Sequence, residues 1–247
     1  MAKSLKKWID EDVKQLKRKG NSYLYEMAFF RDPVKPIKVD PQYFFSPCDG
    51  TIIDQGVYKP DEEIYNIKGK SFTLKQIMHD DDFNEECLVI NTYMSSYDVH
   101  CLRNSYSGVI DYWDSDPIET CNLPMLDSEN ALFKRILDYD SMEYLHKNSR
   151  RILRNYIPKM NYAYYNVYIA DDAVDVILTY EEPGTLVLQG KRIGFIRFGS
   201  TTISVFPIKN MPFDYKLCNK KLTHVEAGID PIIKIKFNRF AKYNTNK

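Results

Sequence analysis

The sequence contains no long apolar stretch. Nowhere in its 247 residues does a window approach the ~20 apolar residues that a membrane-spanning helix requires. The charged start followed by an apolar core that is typical of a signal peptide is also missing. We therefore expect a cytoplasmic protein that is at most peripheral on a membrane.

Paired cysteines are absent as well. No two cysteines have the C-x-x-C spacing of a metal or redox site, and their odd number does not indicate a disulfide framework. Reduced thiols in an intracellular protein are the simpler interpretation. The five residues are Cys48, Cys87, Cys101, Cys121 and Cys218.

Several motifs with known chemistry are missing. The chain has no dinucleotide-binding glycine fingerprint, no phosphate loop and no His-Glu-x-x-His helix. Three consecutive aspartates at 80–82 lack the glycine and glutamate spacing of a calcium loop, so a solvated loop is the more typical interpretation. We expect neither a metal ion nor nucleic acid among the partners.

The composition is that of an ordinary globular protein, with 44% apolar and 28% charged residues, and it predicts one domain over 1–247. Basic and acidic residues are equal at 34 each, but they are unevenly placed. Residues 1–20 carry seven basic and three acidic side chains, and residues 232–247 carry five basic and no acidic ones. Basic ends on an acidic body favour contact with an anionic surface.

An amphipathic helix is predicted near the N-terminus, within residues 1–28. Its apolar stripe consists of Leu5, Trp8, Ile9, Val13 and Leu16. Such a helix either packs on the body of the protein or lies in a membrane interface through Trp8. We favour packing, because anionic lipid would repel the acidic residues at 10–12.

Most of the remaining chain has strand patterns. They predict an α+β fold with an antiparallel, β-rich, barrel-like core. Helical spacing of apolar residues between 113 and 165 predicts a helical insertion or lid. The predicted strands cover 51–57, 87–94, 167–170, 174–180, 185–188, 195–198, 203–206 and 232–237.

The stretch 190–207 carries the first chemical signal. A Gly-Ser pair, Gly199 and Ser200, interrupts two strand patterns. Glycine has no side chain to hinder approach to its carbonyl, and attack by the serine Oγ on that carbonyl converts the amide to an ester. Gly-Ser in a hairpin is usually only a turn, so the pair alone leaves a turn and a self-cleavage site open.

Four motifs occur together in a recognisable order. They are Phe-Phe-Arg-x-Pro at 29–33, Ser-Pro-x-Asp-Gly at 46–50, Met-Ser-x-x-Asp-Val-His-x-x-Arg at 94–103, and Phe-Gly-Ser at 198–200. In their residues and in their order along the chain, these motifs resemble those of the phosphatidylserine decarboxylase family. The similarity extends from about residue 29 to residue 235.

The resemblance implies a self-processing enzyme. The family's base maps onto His100 and its carboxylate onto Asp49, so Ser200, His100 and Asp49 form a triad-like set. Cleavage between Gly199 and Ser200 would give a β chain of 1–199 and an α chain of 200–247. The ester eliminates to dehydroalanine, which hydrolyses to a pyruvoyl group and ammonia.

The same resemblance implies the reaction. The pyruvoyl group derived from Ser200 would take up the electrons left when carbon dioxide departs from phosphatidylserine. His100 would then protonate the carbon to give phosphatidylethanolamine. The implied partners are phosphatidylserine in membranes, the protein's own β and α chains and, as a homodimer, a second copy.

Two positions differ from other branches of the family. Tyr97 stands where they carry an additional histidine, and Tyr164-Tyr165-Asn166-Val167 gives no clear equivalent of their Asn-Glu-Arg motif. Both departures bear on substrate positioning rather than on self-cleavage. The alternatives are a pyruvoyl-dependent decarboxylase of another amino acid, a non-catalytic barrel module of the carrier type, and a non-catalytic membrane-binding homologue.

Overall fold

The computed structural model describes residues 2–20, 23, 31, 33–172, 177–196 and 200–237, and for Ser200 it describes the backbone alone. Gly199, the phenylalanines at 29 and 30 and the basic residues after 237 lie outside the described residues. So do parts of the strands predicted at 174–180 and 195–198.

Seventeen strands are present in the described chain. In chain order, β1 to β17 are Lys3–Ser4, Tyr43–Phe45, Gly50–Tyr58, Tyr65–Ile67, Lys70–Phe72, Cys87–Met94, Cys101–Arg103, Gly108–Ser115, Arg150–Ile157, Tyr162–Ala170, Ile177–Thr179, Leu186–Val187, Arg192–Ile196, Ser200–Pro207, Phe213–Leu217, Thr223–Val225 and Pro231–Phe237.

Nine strands form one antiparallel sheet, in the order β1-β16-β3-β6-β14-β10-β9-β8-β12. Two small sheets, β11-β13-β7 and β15-β17-β2, and the hairpin β4-β5 complete the β structure. The predicted α+β class with an antiparallel, β-rich core is confirmed. The large sheet is not closed into a barrel, so its form differs from the barrel-like core that the sequence led us to expect.

Successive residues of each strand point to opposite faces of the large sheet, so the apolar side chains form separate clusters on the two faces. Val89 in β6 belongs to one apolar cluster, together with Val167 and residues of the helices. Its neighbour Ile90 belongs to a second cluster, together with Phe44 and other strand residues of a small sheet. A third cluster, which includes Met94 and Tyr168, lies against the sheet β11-β13-β7. The large sheet is thus covered by helices on one face and by smaller sheets on the other.

The N-terminal helix packs on the body of the protein. It consists of α1 (Leu5–Trp8), a π-helical turn (Ile9–Val13) and α2 (Lys14–Lys17). The Ser4 side chain caps it by accepting a hydrogen bond from the Lys7 amide at 3.3 Å. Leu5, Trp8 and Val13 are buried in the first core cluster, so the predicted packing of the helix is confirmed.

The predicted helical insertion is only partly helical. The helices α4 (Leu126–Phe133) and α5 (Tyr144–Lys147) and a 3-10 turn (Tyr139–Met142) follow β8, and α3 (Leu74–Met78) precedes β6. The prediction of a helix through Ile152, Leu153 and Tyr156 was wrong, because these residues lie in β9. The first four residues of β10, 162–165, also fall inside the predicted insertion, and this strand pairs with β14.

Membrane-spanning length is not reached in the described part of the chain: none of its helices is long and apolar enough to cross a bilayer.

Candidate functional site

His100 lies directly after a tight turn that follows β6. Asp98 stabilises this turn, because its Oδ2 accepts hydrogen bonds from the Ser95 amide at 2.8 Å and the Ser95 hydroxyl at 2.7 Å. The Asp98 amide donates to the Ser95 carbonyl at 3.0 Å. The turn therefore holds residues 98–100 in a fixed position.

The His100 imidazole is fully buried, and its tautomer follows from its contacts. Nδ1 lies 3.1 Å from the Asp98 carbonyl oxygen. A carbonyl can only accept, so Nδ1 carries the proton and Nε2 carries the lone pair. Burial lowers the pKa of His100 to about 4, against the opposing effect of Asp98. His100 is thus a neutral imidazole near pH 7, with the form required of a general base.

Asp49 lies just before β3, and a close backbone approach accounts for the glycine after it. A Cβ on Gly50 would come within 2.4 Å of the Tyr93 carbonyl oxygen. The Asp49 carboxylate is buried, forms an ion pair with Lys35 and accepts a hydrogen bond from the Ala227 amide at 2.8 Å. Burial raises the pKa of Asp49, against the lowering effects of Lys35 and Ala227.

Asp49 and His100 make no direct hydrogen bond to one another in the described structure. Asp49 bonds Lys35 and Ala227, whereas Nδ1 of His100 bonds the Asp98 carbonyl. The two residues nevertheless belong to one region, since the charge of Asp98 affects the pKa of both. A role for Asp49 in orienting His100 stays a prediction.

A buried acid–imidazole pair, Asp98 with His224, was missed by the sequence reasoning. His224 Nε2, in β16, lies 2.6 Å from Asp98 Oδ1. The His224 ring stacks on the Trp8 indole, with 4.3 Å between centroids and 10° between planes. Burial opposes ionisation of Asp98, but His224 and the Ser95 hydrogen bonds outweigh it and lower the pKa of Asp98. The two residues are 126 positions apart, so no local pattern marks the pair.

The two pairs share one pocket of about 250 Å³. Asp49 with Lys35 and Asp98 with His224 contribute to its walls, whereas His100 is buried outside the lining. The rest of the lining comes from the N-terminal helix, two residues after it, the turn before His100 and the residue after β16, namely Trp8, Asp12, Gln15, Leu16, Arg31, Pro33, Tyr97, Val99 and Glu226.

The helical layer contacts this turn through one carboxylate. Glu129 in α4 accepts hydrogen bonds from the Ser96 amide at 2.7 Å and the Ser96 hydroxyl at 2.6 Å. Burial raises the pKa of Glu129, and the Ser96 hydrogen bonds oppose that change. The insertion thus supports the turn before His100, a contact that the sequence did not predict.

Ser200 is the first residue of β14, where its backbone pairs with Met94 of β6 on one side and Ala170 of β10 on the other. On the other side of the undescribed residues 197–199, the Ile196 amide donates a 3.1 Å hydrogen bond to the His100 carbonyl. Both described ends of the predicted processing segment are therefore fixed near the turn that carries His100.

Comparison with known proteins places the chain among related sequences. Residues 25–231 match the family model described as phosphatidylserine decarboxylase. A phosphatidylserine decarboxylase proenzyme from Amoebophilus asiaticus is 27% identical, over 86% of this chain and 76% of its own length. Proenzymes from Cytophaga hutchinsonii and Burkholderia vietnamiensis are 23% and 26% identical, each over 75% of this chain and over 68% and 69% of their own lengths.

Proposed function

Because the chain belongs to the phosphatidylserine decarboxylase family, we propose that it converts phosphatidylserine to phosphatidylethanolamine and carbon dioxide after cutting itself between Gly199 and Ser200. The observation that carries the proposal is the anchoring of the processing segment. Ile196 is hydrogen-bonded to the backbone of His100, and Ser200 begins β14 opposite Met94, at the start of the same turn.

Self-cleavage would use His100 as the base. Its Nε2 lone pair takes the proton of the Ser200 hydroxyl, and Oγ attacks the Gly199 carbonyl carbon. The Gly–Ser amide becomes an ester, and elimination then releases the carboxylate of Gly199. The neutral state of His100 supports this role, because a protonated imidazole has no lone pair to accept the proton.

The surroundings of Ser200 fit a pyruvoyl group formed at a new chain end. β14 runs between β6 and β10 and pairs with both strands from Ser200 onwards. These two ladders would hold the new N-terminus in place after the preceding bond is broken. The pyruvoyl group supplies an electron sink for decarboxylation.

The pocket beside the turn is the proposed site of the phosphoserine headgroup. It combines two cationic side chains, Lys35 and Arg31, with four carboxylates, so that both the ammonium and the anionic groups of a zwitterionic headgroup would find partners of opposite charge. We also propose peripheral membrane association through the net positive charge of residues 1–20, in which the exposed Lys6 and Lys14 are both paired with Asp10.

We expect wild-type protein to release carbon dioxide from vesicles that contain phosphatidylserine and to form phosphatidylethanolamine. Free serine and other free amino acids should react far more slowly, because they lack the lipid that brings the substrate to the surface. The assay measures labelled carbon dioxide released from substrate that carries the label in its carboxyl group, with Ser200→Ala as the inactive control. Release from free amino acids at a rate equal to that from the lipid would contradict the proposed substrate.

The rate of self-cleavage is expected to change little with pH between 8 and 5. Since the pKa of His100 is about 4, about nine-tenths of this imidazole is still neutral at pH 5, and the rate should fall only as the pH approaches 4. Time courses of freshly synthesised precursor on gels would measure it, with thermal unfolding checked at each pH. A rate that halves near pH 6.5 would mean that the base has an ordinary imidazole pKa.

A further inference from the structure

We propose that His224, held by Asp98, carries the proton that the substrate carbon receives when carbon dioxide leaves, so that self-cleavage and decarboxylation use different imidazoles. The inference rests on the proposed function. Its starting point is the location of the two rings: His224 lines the pocket that contains Asp49 and Lys35, whereas His100 is buried outside the lining.

The contact with Asp98 leaves one nitrogen of His224 for proton exchange. Asp98 Oδ1 lies 2.6 Å from Nε2, so the carboxylate holds a proton on that nitrogen. Asp98 thereby fixes the orientation of the ring through Nε2, in the way that the aspartate of a catalytic triad orients its histidine. Nδ1 is then the atom that gains and loses the second proton at the pocket.

The ring is also held in orientation. Trp8 stacks on it nearly parallel, at 4.3 Å between centroids, and the His224 backbone pairs with Thr51 in β3. The imidazole is therefore confined between the N-terminal helix and the large sheet. A fixed ring at a pocket wall meets the geometric requirement for proton transfer to a bound substrate.

The pair is not needed to form the turn. Asp98 is already bonded to the Ser95 amide and hydroxyl, and Glu129 holds Ser96 from the other side. A buried ion pair is in general weak evidence for stability, because desolvation opposes its attraction. Ionisable groups placed together in a cleft are instead typical of a functional site.

Decarboxylation would transfer one proton from His224 to the substrate carbon. The C–C bond to the carboxylate breaks, carbon dioxide leaves, and its electron pair remains on the substrate carbon. That pair takes the proton from Nδ1 of His224 to form the new C–H bond, and the imidazole becomes neutral. A proton from solvent restores the imidazolium, so that one proton is consumed for each carbon dioxide released.

The test separates the two reactions in one variant. In His224→Gln we expect self-cleavage at the wild-type rate, while kcat for decarboxylation falls by about 10²- to 10⁴-fold and KM stays within about threefold. His146→Gln is the matched control, since His146 lies in α5 against Phe72, and it should match wild type in both reactions.

A second variant tests proton transfer itself. In His224→Ala, added imidazoles should restore part of the decarboxylation rate, and the restored rate should vary with the pKa of the imidazole, as Brønsted behaviour requires. An imidazole that only filled the space left by the missing side chain would not give a rate that depends on its pKa. Completed self-cleavage serves as the folding check for both variants.

Three results would overturn the proposal: normal decarboxylation in His224→Gln, loss of self-cleavage in both His224 variants, or a rescue that does not depend on the pKa of the imidazole. A wild-type chain that does not cut itself would instead refute the proposed function, and the two failures are therefore distinguishable.

Discussion

Ser200→Ala is expected to remain a single intact chain without decarboxylase activity. The substitution removes the oxygen that attacks the Gly199 carbonyl, and it leaves the backbone pairs of β14 with β6 and β10 unchanged. Without the hydroxyl no ester forms, and without the ester no pyruvoyl group can arise. Gel electrophoresis after prolonged incubation, together with the decarboxylation assay, measures both effects.

Ser204→Ala is the matched control for that experiment. Ser204 lies in the same strand, and its hydroxyl donates to Asn166 Oδ1 at 2.7 Å. Losing this buried hydrogen bond should cost about 1–2 kcal/mol of stability and leave cleavage intact. If Ser200→Ala were cut at the wild-type position, the nucleophile would have to be another residue.

His100→Gln is expected to slow self-cleavage by about 10²- to 10⁴-fold, the contribution typical of a positioned general base. Glutamine can still donate a hydrogen bond within the turn, but its amide cannot accept the serine proton at neutral pH. The rate is measured from the disappearance of newly synthesised precursor. Circular dichroism and thermal unfolding show whether the turn has kept its fold.

His79→Gln provides the comparison for His100→Gln. His79 follows α3 and contacts Ser115 at the end of β8, and its substitution should leave the rate of cleavage unchanged. Cleavage of His100→Gln within about threefold of wild type would assign the base to another group. His224 would then be the first residue to examine, since it supplies the imidazole on the pocket wall.

The parts of the fold that could be predicted are those that local patterns determine. Cys87–Met94 is mostly apolar and lies inside the sheet as β6, and the strand predicted at 51–57 after the Asp-Gly turn lies in β3. The motif containing His100 was local as well, because the turn that precedes it depends on Ser95 and Asp98, three residues apart. Such signals need no knowledge of tertiary structure.

One helix prediction was wrong because the same apolar residues fit both the helical period and the strand period. Ile152, Leu153 and Tyr156 are compatible with one face of a helix, but the strand β9 is stabilised by its ladders to β8 and β10. The hairpin β4-β5 was not predicted. Its turn places Lys68 and Gly69 at φ 49° and 78°, a conformation that glycine favours.

The contacts that could not be predicted join distant segments. Asp49 bonds Lys35 and the Ala227 amide, which are 14 and 178 positions away in the sequence. Asp98 lies in the turn after β6 and His224 lies in β16, with β3 between these two strands in the sheet, and Trp8 stacks on His224 from the N-terminal helix. Each of these contacts depends on the sheet order, which a single sequence does not specify.

The intact mass of the purified wild-type protein tests the central claim most directly. The account predicts two species, residues 1–199 with a free carboxyl end and residues 200–247 lighter by one ammonia than the unmodified peptide, because the N-terminal serine has become pyruvoyl. One species with the mass of the uncut 247-residue chain, unchanged after prolonged incubation, would contradict it.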